Sequence, residues 1–166
     1  MTDTPKKPSS RNRQQRNKRR RQSRILALQS LYEADVTPHS SAEILARIRA
    51  EGTTAAETLD YASDLVDGVR ANRGAIDDHI AGAAPAFPID QLPTIDRNVL
   101  RLAIFELIHG PDVPPRAAIN EAVEIAKEFG GDGSGRFVNG VLGTIFDRLK
   151  PRPNDAETAE EPVADA

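Results

Sequence analysis

With 166 residues, 39% of them hydrophobic, the chain is long enough to form one domain with a substantial core. It has no cysteine, which excludes disulfides and thiolate metal sites and favours a reducing compartment. The formal charge of −3 is unevenly distributed, because residues 1–24 hold ten of the 22 Lys and Arg but only one of the 25 acids.

The N-terminal arm, residues 1–17, is predicted to be disordered when free, because its polar and basic residues cannot bury enough apolar surface. Residues 1–24 carry a net charge of +9, and the other 142 residues carry a net charge of −12. A basic arm on an acidic body indicates an anionic partner, with nucleic acid as the first candidate. The arm lacks the apolar segment of a secretory signal, and no apolar run is long enough to span a bilayer. We therefore expect a cytoplasmic protein without a membrane partner.

The first helical pattern begins near Lys18, and four apolar residues define its buried face: Ile25, Leu28, Leu31 and Tyr32. At about 100° per residue, Arg21 and Arg24 continue the line of this face instead of opposing it. Charges that were merely solvated would lie opposite the apolar face. The phase therefore favours a helix that extends past the core and holds an anion.

Two capping-box patterns predict where the second and third helices begin, namely Ser40 with Glu43 and Thr54 with Glu57. Residues 72–74 interrupt the third helix, and apolar residues after them predict a short fourth helix. Residues 83–93 contain three prolines and are predicted to form a connector.

Residues 94–110, TIDRNVLRLAIFELIHG, are predicted to form the central helix of the core. From Val99 to Ile108 only two residues are not apolar, and a helix that is apolar on nearly all sides must be covered on most of them. A buried strand is the alternative, but the run is long for a strand, and Leu and Ala favour helix. Three polar residues are then expected to mark its narrow exposed side: Asp96, Arg97 and Arg101.

Two further helices complete the chain. One is predicted to start at Pro114-Pro115 and to end at Gly130, and the last spans about residues 134–150. Residues 151–166 are acidic and rich in Pro and Ala, and we predict a disordered tail. No strand pattern or repeat is present, so the fold class is all-α with about seven helices.

The sequence shows no catalytic or metal-binding motif. The three histidines lie in separate segments without ligand spacing, and we expect no enzymatic activity, metal or cofactor. The glycine-rich run at residues 130–135 has three interpretations. It can be a flexible connector, it can present backbone N–H groups to an anion at a helix start, or it can be a dinucleotide loop. The last is disfavoured because the run follows a helix and not a strand.

Phe137 lies about 100° from the centre of the apolar face of the last helix. It is therefore either a core residue or a residue at the rim, where its ring could stack on a base. Gly140 and Gly143 lie opposite the apolar face. Because Gly costs about 1 kcal/mol relative to Ala in a helix, we expect something to approach the backbone there.

Several ordered segments resemble the NusB transcription antitermination family over about residues 18–150. They are Arg20-Arg21 with Arg24, ALQSLY at 27–32, DRNVLRLAIFEL at 96–107, DVP at 112–114, AINEAVEIAK at 118–127 and FVNGVL at 137–142. The resemblance implies two small helical bundles, packed together, that bind the boxA element of ribosomal RNA operons. It also implies a complex with NusE, a small-subunit ribosomal protein, and with other Nus factors on the transcription elongation complex, which suppresses premature termination. Both monomers and homodimers fit the family.

The resemblance also implies roles for individual residues. RNA contacts are expected for Arg20, Arg21, Arg24 and Phe137, to which we add the neighbours of Phe137 on the last helix: Ser134, Arg136 and Asn139. Contact with NusE is expected for Asp96, to which we add Arg97 and Arg101. Replacing the three arginines of the first helix is expected to weaken RNA binding with little effect on folding. Some relatives have an acid where this chain has Gly133, so no role is carried over to that position.

Two alternatives belong to other classes of protein. A similar helical domain is attached to RNA methyltransferases, which makes an RNA-binding module of an rRNA-processing or rRNA-modifying system the alternative function. Such enzymes need an α/β cofactor domain, and the sequence has no strand–loop–helix unit. A purely structural dimerisation module would leave the basic arm unexplained.

Overall fold

The computed structural model describes residues 9–110 and 112–150, which form seven α-helices and one short 3-10 helix and contain no strand. The helices are α1 Ser10–Val36, α2 Ser41–Glu51, α3 Ala56–Ala71, α4 Arg73–Ala83, α5 Thr94–His109, α6 Pro115–Phe129 and α7 Ser134–Leu149, with the 3-10 helix Ile89–Gln91 before α5. The all-α prediction is confirmed. The predicted tail at residues 151–166 lies outside the described residues.

Helix α1 begins at Ser10 and not near Lys18, so residues 10–17 of the predicted disordered arm are helical. The segment contains no Gly, Pro or β-branched residue, and its Arg and Gln side chains favour helix. Since the packed part of α1 already supplies the nucleus, each added residue extends the helix without a new nucleation cost. The sequence predicted disorder here because the segment is polar and basic and has no apolar residue to mark a buried helix face.

One of the two predicted capping boxes is confirmed. The Ser40 hydroxyl accepts a hydrogen bond from the Glu43 amide at 3.2 Å, and the Glu43 carboxylate accepts one from the Ser40 amide at 3.0 Å. The prediction for Thr54 and Glu57 is wrong, because α3 begins at Ala56 with Ala55 as its N-cap. Glu57 instead pairs with Arg19 of α1 at 2.8 Å.

The helices form two small bundles that share α5. Helices α1, α2 and α3 pack against one another, and α4, α6 and α7 pack with α5. Because α5 also contacts α1 and α3, it joins the two bundles, and the prediction of a central helix is confirmed. Leu100 and Ile104 of α5 are completely buried. None of the described helices is long and apolar enough to cross a membrane.

The expectation that Asp96, Arg97 and Arg101 mark an exposed side of α5 is wrong. Asp96 is only 5% exposed and Arg101 only 3%. The Arg101 guanidinium donates to both carboxylate oxygens of Asp77 on α4, at 2.8 and 3.0 Å, and Arg97 donates to Asp35 of α1 at 3.2 Å. Polar residues of α5 are therefore buried by pairing with neighbouring helices, and one carboxylate oxygen of Asp96 is buried without a hydrogen-bond partner in the described part of the chain.

Candidate nucleic-acid interface

Arg24 lies where the apolar face of α1 becomes basic, and its side chain is buried. Its guanidinium makes a bidentate ion pair with Glu106 of α5, with Nε–Oε1 at 2.7 Å and Nη2–Oε2 at 2.8 Å. Burial alone would lower the pKa of Arg24, but the hydrogen bond and the charge of Glu106 raise it by more, so that the net shift is upward. The sequence predicted that this end of the face holds an anion, and in the structure Arg24 holds the carboxylate of Glu106.

Tyr61 of α3 completes this buried cluster. Its hydroxyl donates a hydrogen bond to Oε2 of Glu106 at 2.9 Å. Burial raises the pKa of Tyr61 to about 12, helped by the charge of Glu106 and by this hydrogen bond. The cluster ties α1 and α3 to α5, and it fixes the direction in which the N-terminal half of α1 leaves the core.

The other two predicted arginines lie nearer the surface. The Arg20 guanidinium lies 5.1 Å from the centre of the Tyr61 ring, a cation–π distance. Arg21 donates to both carboxylate oxygens of Glu121 on α6, at 2.9 and 3.1 Å, and its side chain is 46% exposed. The hydrogen bond and the charge of Glu121 raise the pKa of Arg21. Arg21 is thus paired but still partly exposed, whereas the Arg24 guanidinium is both paired and buried.

The N-terminal half of α1 forms one wall of a groove whose other wall is the start of α6, and we call it the α1–α6 groove. Its volume is about 590 Å³, and it is lined by Asn12, Arg13, Arg16, Asn17, Arg20, Arg24, Asp112, Val113, Pro114, Ala117, Asn120 and Glu121. The lining contains four arginines and two acids, so this groove carries a positive net charge. Positive grooves of this kind attract phosphate groups.

A second groove, the α6–α7 groove, lies between the outer faces of α6 and α7. Its volume is about 650 Å³, and it is lined by Asn120, Val123, Glu124, Lys127, Gly131, Asp132, Gly133, Gly135, Arg136 and Asn139. Asn120 lines both grooves, so the grooves adjoin at this residue, and we call the two together the groove path. The structure therefore brings Arg20 and Arg24 onto the same path as Arg136 and Asn139, although they are separated by more than a hundred residues in sequence.

The glycine-rich run closes one end of this path. Gly133 is the N-cap of α7 with φ 87°, a backbone conformation that favours glycine. Ser134 is only 5% exposed, and its hydroxyl accepts a hydrogen bond from the Gly131 amide at 3.0 Å. Ser134 thus closes the loop internally, while Gly131, Gly133 and Gly135 line the groove with backbone. The run connects α6 to α7, as one interpretation predicted, whereas its flexibility and the anion-binding interpretation stay predictions.

Phe137 is half-buried and lines neither groove. Its ring packs edge to face on Phe87, with the ring centres 5.6 Å apart. Phe87 lies in the connector before α5 and is 55% exposed. Phe137 is therefore a rim residue, with one side on the core and the other beside an exposed aromatic ring. A stacking role for its ring stays a prediction.

The sequence analysis missed several residues of these surfaces. Their sequence context gave little indication of a role, because each is either a polar residue in a charged helix or an isolated aromatic residue in a loop. The missed residues are Asn12, Arg13, Arg16, Asn17, Phe87 and Asn120. No part of the described chain approaches the backbone at Gly140 or Gly143, because a Cβ at either position would meet no atom within 4 Å, and approach by a partner stays a prediction.

Comparison with known proteins identifies relatives over most of the chain. The model of the NusB family matches residues 21–147. A protein of Dehalococcoides mccartyi strain CBDB1, named transcription antitermination protein NusB, is 45% identical over 138 residues, which are 83% of this chain and 96% of that protein. A protein of Chloroflexus aggregans with the same name is 46% identical over 127 residues, 75% of this chain and 85% of that protein.

Solved structures of NusB proteins have the same fold as this chain. NusB of T. maritima superposes with a TM-score of 0.73 at 34% identity and covers 80% of this chain and 93% of its own. A crystal structure of the antitermination factors NusB and NusE in complex with dsRNA superposes with a TM-score of 0.71 at 28% identity and covers 80% of this chain and 98% of the matched chain. From the family match, these identities and the shared all-α fold, we conclude that this chain belongs to the NusB family.

Proposed function

We propose that this chain is a non-catalytic transcription antitermination factor that binds boxA RNA of ribosomal RNA operons together with NusE. It would act on the transcription elongation complex with other Nus factors and suppress premature termination. The observation that carries the proposal is the pair of adjoining grooves, α1–α6 and α6–α7, of which the first is walled by a helix of strongly basic sequence. Relatives named as antitermination proteins and a similar NusB–NusE complex with RNA support it.

Phosphate binding falls to the accessible arginines in this proposal. Arg13, Arg16 and Arg20 line the α1–α6 groove, and Arg136 lines the other end of the path. Arg21 also binds a phosphate when the RNA displaces Glu121, because the phosphate and the Glu121 carboxylate accept hydrogen bonds from the same guanidinium. Arg24 acts through its ion pair with Glu106, which positions α1. Phe137, together with Phe87, offers ring edges and faces to an unpaired base beside the path.

NusE would contact the chain near the start of α5. Asp96 and Arg101 are buried there, so their proposed role is to shape this surface and not to touch the partner with exposed charges. The ion pairs of Arg97 with Asp35 and of Arg101 with Asp77 hold α5 against α1 and α4.

Titration of boxA RNA against the protein, with and without NusE, tests the proposed function. We expect boxA RNA to bind more tightly than a scrambled RNA and to bind more tightly still when NusE is present. The double variant Arg13→Ala/Arg16→Ala should bind RNA more weakly, and its log–log salt slope should shrink by roughly 1.4 because two single-strand phosphate contacts are lost. Equal binding of both RNAs, unaffected by NusE, would overturn the proposal.

A further inference from the structure

The six asparagines of the described residues fall into two groups. Asn72 and Asn98 serve the fold, since the Asn72 amide donates to the Gly68 carbonyl at 2.8 Å and the Asn98 amide donates to Asp35 at 2.9 Å. The other four are exposed, and their side chains make no hydrogen bond within residues 9–110 and 112–150: Asn12, Asn17, Asn120 and Asn139. All four of these line the connected grooves.

The four free amides are spread along the whole path. Asn12 and Asn17 line the α1–α6 groove, Asn120 lies where the grooves meet, and Asn139 lines the α6–α7 groove. Basic residues line the same grooves, namely Arg13, Arg16, Arg20, Lys127 and Arg136, together with four acids, Asp112, Glu121, Glu124 and Asp132. An extended RNA strand in these grooves would therefore lie within reach of both cations and amides.

Local structure does not account for these asparagines. Asn17, Asn120 and Asn139 lie in the interiors of α1, α6 and α7, where Asn is less favourable than Gln, Lys or Arg. Asn is preferred at helix caps and in turns, where its side chain bonds to nearby backbone, but none of these three is a cap residue or forms such a bond. Their exposed amides are thus available to a ligand.

Amides and guanidinium groups recognise different parts of a nucleic acid. Arg and Lys only donate hydrogen bonds, and their phosphate contacts fix position without reading sequence. An Asn side chain donates and accepts, so it can match the paired donor and acceptor of one base edge and reject another base. Bases of a single-stranded RNA expose these edges, whereas the narrow major groove of an RNA duplex hides them.

We propose that Asn12, Asn17, Asn120 and Asn139 read base edges of single-stranded RNA that lies along the two connected grooves. The arginines beside them bind the phosphates, so affinity and sequence discrimination reside in different side chains. This inference rests on the proposed function, because it assigns the source of sequence discrimination within that same RNA site.

The test uses the full chain with Asn17→Ala, Asn120→Ala and the double variant. Each is titrated with boxA RNA and with a scrambled RNA of equal length and composition, at several salt concentrations. Gln15→Ala is the matched control, because Gln15 is an exposed amide on α1 that lines neither groove. Ala favours helix more than Asn does, so all variants should fold, and circular dichroism verifies this.

We expect each Asn variant to lose roughly tenfold in the ratio of boxA to scrambled affinity, with an unchanged salt slope. Gln15→Ala should keep the wild-type ratio. An unchanged ratio in the Asn variants would overturn the inference, as would an equal loss of affinity for both RNAs. If the wild-type protein itself does not prefer boxA RNA, the proposed function is wrong. If the wild-type protein prefers boxA RNA and the Asn variants keep that preference, only the inference about the asparagines is wrong.

Discussion

At the scale of single residues, Arg24 shows how a side chain in a strongly basic helix can serve the fold. Its guanidinium and the Glu106 carboxylate are both buried, with side-chain exposures of 8% and 3%. A buried ion pair contributes little net stability when it forms, because both charges lose water. Removing one partner is costly, because the other charge is left buried without compensation.

Arg24→Ala is therefore expected to lower the free energy of unfolding by about 3–5 kcal/mol. Arg21→Ala is the control, since Arg21 also pairs with a glutamate but near the surface, and its loss should cost less than about 1 kcal/mol. Urea unfolding of the two variants measures the difference. Similar stability of both would show that Glu106 does not depend on Arg24. This revises the sequence-based expectation that replacing the three arginines together leaves folding nearly unchanged.

Phe137 is the second case at this scale, because its ring is half-buried and faces Phe87. Full burial would make Phe137→Ala cost about 3–5 kcal/mol, and partial burial should reduce this to about half. We expect RNA affinity to fall as well, by about 1–3 kcal/mol, if the ring stacks on a base. Thermal unfolding and RNA titration measure the two effects. Phe137→Tyr should retain both properties, and loss of stability with unchanged affinity would make Phe137 a purely structural residue.

At the scale of elements, the N-terminal part of α1 is a helix whose residues 10–19 are all exposed. Its order comes from continuity with the packed part of α1, where Ser23, Ala27 and Leu28 are buried. A single helix thus has two functions along its length. Its C-terminal part fills the core, and its N-terminal part supplies one wall of the α1–α6 groove.

Gln15→Pro tests this division. Proline in a helix interior removes a backbone hydrogen bond and clashes with the preceding turn, so it should disorder or redirect the residues before it. Because these residues do not contribute to the core, the melting temperature should change by less than a few degrees. RNA affinity should fall clearly, since Asn12 and Arg13 would leave the groove wall. Gln15→Ala serves as the control, and equal RNA affinity of both variants would exclude a role for the ordered wall.

At the scale of the whole molecule, α5 joins two small bundles through one shared core. Neither bundle is closed without it, because α5 packs against α1 and α3 on one side and against α4, α6 and α7 on the other. Its completely buried Leu100 belongs to the core cluster that extends through both bundles. The groove path depends on the same arrangement, because its walls come from α1, α6 and α7.

Leu100→Ala should lower the free energy of unfolding by about 2–5 kcal/mol, because it leaves a cavity in the shared core. We expect both bundles to be destabilised together. Hydrogen exchange measures this, and protection should fall by a similar free energy in α3 and in α7. If only the helices of one bundle lose protection, the bundles unfold independently and α5 is not the joint between them.

Much of this architecture could be predicted from the sequence, because helical periodicity is a local property. Apolar spacing located all seven helices, and the nearly continuous apolar run of residues 99–108 identified the central one. The capping box at Ser40 was found because both of its partners lie within four residues. The charge imbalance of residues 1–24 indicated an anionic partner without any knowledge of the fold.

Only the tertiary structure decided how the charged residues are used, because their partners are distant in sequence. Arg24 and Glu106 are 82 residues apart, and Arg21 and Glu121 are 100 residues apart. Arg101 looked exposed because a charged residue in a helix is usually solvated, but Asp77 of α4 makes its burial possible by compensating the charge. The same reason hid the two grooves, since Asn17 and Asn139 reach adjoining grooves that share Asn120 only when α1, α6 and α7 pack together.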